Sequence, residues 1–194
     1  AYERAISLAP HITELIYAIG AEDRLVATVN SSDYPLEAKQ LPRVGDGVSV
    51  AAEALLKHHP DVVLAWQPTK ALQALEELLE QNNVALHYIN PQSLEDIATA
   101  TVQLGDWLDQ PQTARALSEQ WQAELQSLHA ARAQQNTPPK TLFIALNSAP
   151  LYSLNDALTN DVLQTCGAKN WAANSRSVAP LVNKEQLFTA ALDG

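Results

Sequence analysis

Apolar positions along this chain change their period repeatedly, and the changes mark its elements. Residues 61–66 (DVVLAW) form the clearest unbroken apolar run, the pattern of a strand buried on both faces. Shorter runs at 4–8 (RAISL), 25–29 (LVATV) and 84–89 (VALHYI) read as three more strands. Between them the period lengthens to three and four. Ile12, Leu15, Ile16 and Ile19 share one face of a helix over 11–19, after a turn at Ala9-Pro10, and Gly20 suits the position just past its end. A short helix covers 50–57, after an irregular stretch at 41–50. Leu72, Leu75, Leu78 and Leu79 mark a helix that Thr69 can cap. Ser93, with Asp96 three residues on, caps a helix that runs to Trp107 and Leu108. Alternating strands and helices predict a parallel, doubly wound sheet for residues 1–106.

Residues 111–135 then carry one long helical pattern without an internal Gly or Pro. Ala114, Leu117, Trp121, Leu125 and Leu128 recur at spacings of three and four as an apolar stripe. Pro111 suits the first turn, and Thr137-Pro138-Pro139 stops the helix. At 1.5 Å per residue it spans roughly 35–40 Å, the width of a small domain, and by itself it reads equally as a long surface helix of one α/β domain. Alternation restarts beyond it. Residues 141–146 (TLFIAL) read as one strand, NSAPLYSLND as a loop, and 157–165 as a helix stopped by Gly167. Residues 170–180 read as irregular, and 184–192 as a helix. The pattern therefore predicts an α/β fold: two Rossmann-like lobes with mainly parallel sheets, joined by one long helix. The N-terminal lobe is expected over 1–108, the connecting helix over 109–137 and a partial C-terminal lobe over 138–194.

Composition narrows the class. The chain has 194 residues, enough for two small lobes with cores, and 46% of them are hydrophobic, which excludes a disordered chain. No run of 18 apolar residues predicts a membrane span. The net charge of −10 argues against a nucleic-acid surface. Cys166 stands alone, so neither an internal disulfide nor a Cys-rich metal site is expected within this sequence. The start AYERAISLAP lacks a basic stretch followed by an apolar one, so a signal peptide is expected to be absent or already removed. The chain stops after a helix where an α/β chain runs on into a strand, and the sequence is expected to be a fragment.

Enzyme signatures do not occur: there is no G-x-S-x-G, Walker loop or G-x-G-x-x-G. Of the five histidines (His11, His58, His59, His87 and His129), none forms an H-x-x-x-H pair, and adjacent rings at 58 and 59 cannot easily converge on one ion. The positions with chemical promise follow the predicted strands, because ligands of open α/β sheets bind outside the carboxyl ends of the strands. Pro10 and His11 follow the first strand. Ser31, Ser32, Asp33 and Tyr34 follow the second, Trp66 and Gln67 the third, and residues 147–152 the first strand of the second lobe. Trp66 at a strand end can form a flat apolar wall, although an ordinary core tryptophan would give the same pattern.

The combination AISLAPHITELIYAIGA, SDYP and a helix ending in HHPDVVLAW resembles the periplasmic binding proteins of ABC importers, in the subclass whose lobes are joined by one long helix. NDVLQTCGAKNW and VNKEQL extend the likeness into the second lobe, and the cobalamin (vitamin B12) binders are the nearest members. The resemblance implies a periplasmic, monomeric, non-enzymatic protein. It would capture cobalamin or a similar large chelate between its lobes and deliver it to a dimeric ABC permease, with no cofactor or structural metal of its own. It implies that Glu53 and Glu185, one on each lobe, dock into arginine pockets of the permease, where charge-assisted pairs are strong and oriented. Read without the resemblance, both are solvated surface glutamates. It also implies that Trp66 stacks on the corrin and that Cys166 has a partner beyond the present C-terminus. That missing region would add a further tryptophan and polar pocket residues.

The pocket departs from the pattern. Ser31, Gly47 and Leu151 align where relatives carry aromatic residues, His11 replaces a small residue, and Tyr152 can compensate beside Leu151. The candidate ligand-binding set is therefore Pro10, His11, Ser31, Asp33, Tyr34, Gly47, Trp66, Gln67, Leu151 and Tyr152. A ferric siderophore or haem carrier is the nearest alternative, with His11 or Tyr152 as an axial ligand. A metal-ion carrier would need more ligands than His11 and Asp33 supply. The single long helix should resist bending and permit only small opening motions.

Overall fold

The apolar run at 61–66 lies at the heart of the structure. In the computed structural model, which describes residues 1–47 and 49–190, β3 (Val62–Ala65) is buried along its whole length. It is flanked by β1 (Ala5–Ser7) and β4 (Ala85–Tyr88), and β2 (Leu25–Ala27) closes the far side, giving the order β2-β1-β3-β4. All three pairings are parallel, with Ile6 opposite Val63 and Leu64 opposite His87. Successive side chains of β3 point to opposite faces. Val63 and Ala65 join a buried cluster with Ile6, Leu8, Val29, Leu55, Leu72 and Leu79. This places α2 (Ala52–Leu56) and α3 (Lys70–Gln81) on one face. Ile12, Ile16 and Ile19 around α1 (Pro10–Ala18) and Leu104 of α4 (Leu94–Trp107) are fully buried outside that cluster, as a second helical layer requires.

Local chemistry sets the helix ends. Pro10 opens α1 as its first residue, so the expected turn at Ala9-Pro10 is already the helix start. Gly20 (φ +72°) follows the last turn, donating to Tyr17 O while Ala21 donates to Ile16 O, the paired bonds of a Schellman end. Thr69 Oγ1 accepts from Leu72 N (3.2 Å) at the start of α3. Ser93 Oγ accepts from Asp96 N (3.0 Å), and the Asp96 carboxylate reaches back to Gln92 N (2.8 Å). Gly105 lets α4 close onto the next helix: a Cβ there would lie 2.2 Å from Ala114 Cβ and 2.8 Å from Gln110 O.

The expected long helix is α5 (Pro111–Gln134). Its apolar stripe is covered less than the pattern suggests. Ala114 and Ser118 are buried, Leu117, Trp121 and Leu125 are half-buried, and Leu128 is exposed. The chain divides into two compact units, one of Ala1–Asn90 with Ala98–Glu119 and one of Pro91–Ile97 with Gln120–Gly194. Both α4 and α5 run from one unit into the other.

The described residues of the second unit hold four short strands where the pattern predicts one. The run at 141–146 breaks into β5 (Lys140–Leu142) and β6 (Ala145–Ser148), which pair with different strands, and the Ile144 carbonyl between them accepts from Leu154 N and Ser153 Oγ. The stretch read as a loop contains β7 (Leu151–Ser153), paired antiparallel with β6. The stretch read as irregular begins within β8 (Ala168–Asn170), parallel to β5. Its polar Asn170 is buried because every end of the amide is bonded: Nδ2 to Leu154 O (2.7 Å) and Asn160 Oδ1 (2.8 Å), and Oδ1 to Ala172 N (3.0 Å). Helix α6 (Ala157–Thr165) is where the period places it, and α7 (Lys184–Thr189) starts as expected; positions 191 and 192 of its expected span lie outside the described residues.

Candidate functional site

Four parallel strands bring their carboxyl ends to one edge of the sheet, and a cavity of about 470 Å³ opens there. Its walls come from residues that follow β1 and β3. Leu8, Ala9, Pro10 and His11 leave β1, while Ala65, Trp66 and Gln67 leave β3. Glu14 of α1, Thr69 and Leu72 at the start of α3, and Asp46 and Gly47 complete the lining. Gly47 is needed for its backbone: φ is +90°, and a Cβ would lie 2.9 Å from the Leu8 carbonyl oxygen. The 45–47 segment can therefore rest against the end of β1.

Trp66 is the one tryptophan among the described residues of the lining. It is 51% exposed, so it is not an ordinary core tryptophan. Its indole N–H donates to Asn90 Oδ1 (3.0 Å), which fixes the ring's rotation and leaves a face open. The His11 ring meets it edge-on, with centroids 5.9 Å apart and planes at 80°. His11 Nε2 donates to Ile89 O (3.3 Å). Burial pushes the His11 pKa below the ordinary imidazole value, against smaller raising effects from that hydrogen bond and from the Glu14 charge. The ring beside Trp66 is therefore neutral at physiological pH.

Behind the cavity lies a cluster of hydroxyls that the apolar pattern does not reveal. Thr13 Oγ1 is bonded to Ser7 Oγ (2.9 Å), Thr28 Oγ1 (2.8 Å) and Ser32 Oγ (3.2 Å), and Thr28 donates to Ser32 (2.8 Å). All four residues are fully buried. The cluster ties β1, α1 and the segment after β2 together. Arg43 Nη1 holds the same segment from outside through Val29 O (2.7 Å) and Ser32 O (3.0 Å).

The structure brings Pro10, His11, Gly47, Trp66 and Gln67 together around the cavity, and the other candidates are not among its lining. Ser31, Asp33 and Tyr34 are exposed on the segment after β2. Ser32, between them, turns inward instead. Leu151 and Tyr152 lie half-buried in β7 of the second unit, where Tyr152 pairs with Asn147 and bridges to Leu181. Glu53 and Glu185 are exposed in the first turns of α2 and α7. Among the described residues no group of three or more His, Cys, Asp or Glu side chains could hold a metal ion, and His11 and Asp33 do not converge. The sequence pattern marks Asn90 as a turn residue only, yet it follows β4 at the same sheet edge, so the rule that selects Trp66 would select it too.

The family model described as "Periplasmic binding protein" matches residues 6–193 of the chain. The Vitamin B12-binding protein of Vibrio parahaemolyticus is 35% identical over 189 residues, which are 96% of this chain and 67% of that protein. Among solved structures, the periplasmic Vitamin B12 binding protein BtuF of Vibrio cholerae superposes with a TM-score of 0.85 at 31% identity, covering 96% of this chain and 72% of that one. A periplasmic heme binding protein from Pseudomonas aeruginosa gives a TM-score of 0.81 at 27% identity, covering 96% and 68%.

Proposed function

The chain belongs to the periplasmic binding protein family, and from that premise we propose that it is the substrate-binding component of an ABC importer for cobalamin. It acts in the periplasm, as a monomer and without catalysis, and hands its ligand to a dimeric inner-membrane permease. The observation that carries the reading is Trp66, half-exposed and pinned by Asn90 at the mouth of a cavity whose lining is mostly apolar. An aromatic face of fixed orientation suits a flat macrocycle, since little freedom is lost when the ligand stacks. Pro10, His11, Gly47 and Gln67 are the neighbouring ligand contacts. Ser31, Asp33 and Tyr34, and Leu151 and Tyr152 of the second unit, are candidates for the ligand's periphery.

Calorimetry against cyanocobalamin, haem and a ferric siderophore tests the reading. Cyanocobalamin is expected to bind at micromolar concentration or below. Trp66→Ala should weaken it by about 1–3 kcal/mol, roughly fivefold to a hundredfold or more. No binding of cobalamin at micromolar levels would sink the proposal. Haem is the second reading, favoured by the heme-binding structural neighbour and by a histidine beside Trp66; a Soret shift on haem addition with no cobalamin binding would select it.

Delivery is assigned to Glu53 and Glu185. Each is the second residue of a short helix, exposed, one in each unit. Reversing both charges should abolish cobalamin uptake by cells while leaving ligand affinity within about twofold, well below the 1.4 kcal/mol of a tenfold change. Unchanged uptake would count against the assignment.

A further inference from the structure

The His11 imidazole, which lines the cavity, can do more there than contact a ligand by shape. Its Nε2 lies 3.3 Å from the Ile89 carbonyl oxygen, an acceptor only, so Nε2 carries the proton. Nδ1 is then the lone-pair nitrogen of a ring that lines the cavity. Among the described residues no hydrogen bond to Nδ1 occurs. Imidazoles that bind metals are arranged in this way: one nitrogen donates to a carbonyl and fixes the ring, and the other is left for the metal. The ring plane supplies a second, independent constraint. It stands at 80° to the Trp66 indole at a centroid distance of 5.9 Å. A flat macrocycle lying on the open indole face would meet the imidazole plane nearly at right angles, the attitude of an axial histidine on a tetrapyrrole metal.

We infer that His11 Nδ1 is an axial ligand to the metal of the captured macrocycle, the cobalt of a corrinoid whose outer ligand can be displaced. This rests on the proposed capture of a corrinoid. The step is a ligand exchange: the Co–O bond to water breaks, water leaves, and the Nδ1 electron pair makes a Co–N bond. Cobalt stays Co(III) and no proton is lost. A corrinoid whose outer position is held by cyanide does not undergo this exchange. The same residue then selects for the aquo form over the cyano form.

The test is to titrate the protein with aquocobalamin and with cyanocobalamin and read both affinity and absorbance. Bound aquocobalamin should show the band displacement that free imidazole gives in water, while bound cyanocobalamin keeps its free spectrum. Aquocobalamin should also bind about tenfold more tightly than cyanocobalamin, a preference of about 1.4 kcal/mol. In His11→Ala the displacement should vanish and the affinity ratio should fall to near one, whatever the absolute affinities; His11→Gln is the second variant should the first fail to fold. Bound aquocobalamin with unshifted bands in the unaltered protein overturns the inference, and so does a displacement that persists in both variants. If neither corrinoid binds, no complex forms at all. That result refutes the capture of a corrinoid, and the axial ligand falls with it.

Discussion

Thr13→Val tests how the ligand end of the first unit is held. Thr13 is fully buried, and its hydroxyl is the hub of the cluster formed with Ser7, Thr28 and Ser32. Valine keeps the shape and adds apolar character, so a reading by hydrophobicity alone predicts a neutral or stabilising change. The hydrogen bonds predict the opposite. Without the Thr13 hydroxyl, Ser7 still donates to Ala9 O (2.9 Å) and Thr28 still donates to Ser32 (2.8 Å). Ser32 then has a proton and no described acceptor, in a fully buried site. An orphaned buried hydroxyl costs about 1–3 kcal/mol, and the lost bonds bring the total to about 2–4 kcal/mol. Thr13→Ser makes the complementary change. It keeps the hydroxyl and deletes one methyl group, at about 1 kcal/mol plus a small cavity term.

The predicted order of stability is therefore Thr13, then Ser, then Val. Urea titration with hydrogen exchange at the β1 and β3 amides reads the first unit by itself, which matters because two units need not unfold together. A valine variant as stable as the serine variant, or more so, would show that the hydroxyls contribute no net stability and would refute the argument.

Two further predictions concern the same unit. His87 stacks on Trp107 (centroids 4.2 Å, 14°) and shares a hydrogen bond with Tyr2 Oη (2.8 Å), and burial lowers its pKa below 6.5. The unfolded chain then takes up the proton first as pH falls, so His87 should contribute nothing above that value and lose stability below it; urea midpoints between about pH 8 and pH 5 should fall less steeply in His87→Phe than in the unaltered protein. Gly105→Ala places a Cβ 2.2 Å from that of Ala114, against backbone at Gln110 that cannot yield. It should lower unfolding free energy by about 1–3 kcal/mol, and a variant within about 0.5 kcal/mol of the parent would mean that α4 and α5 move apart freely.

The first unit is legible because burial and sequence period coincide there. The run DVVLAW is buried on both faces, and α1 and α3 show their apolar sides at spacings of three and four. The second unit hides its strands for two reasons. β5 and β8 each include an exposed residue, so burial there does not follow an unbroken apolar run, and Asn170 occupies a buried place that a hydropathy pattern assigns to solvent. The site divides in the same way. The strand-end rule selects Trp66, His11 and Gln67 from local sequence alone, and these line the cavity. Ser31, Asp33 and Tyr34, which the same rule selects, stand outside the cavity lining, because Ser32 turns inward and Arg43 holds the carbonyls of their segment. Arg43 reaches residues 11 and 14 positions back along the chain, and Thr13 meets Ser32 across 19, separations longer than the period of any single element.

The two glutamates assigned to docking show where resemblance and physics can be told apart. Glu53 and Glu185 both stand second in a helix, and each helix follows a residue held by an isolated bridge: Val50 to Gly45, and Leu181 to Tyr152. A first-turn carboxylate stabilises its own helix by about 0.3–1 kcal/mol, which matters in helices of five and six residues. Self-stabilisation could therefore account for both residues without any partner. The helices differ in a way that separates the two explanations. In α7, Asn183 and Gln186 close a capping box, whereas α2 has no side-chain cap and depends more on its acid. If stability alone placed these residues, Glu53→Gln should fray its helix more than Glu185→Gln and neither should affect uptake. If docking placed them, the two substitutions should weaken uptake alike, despite their unequal effects on helix protection.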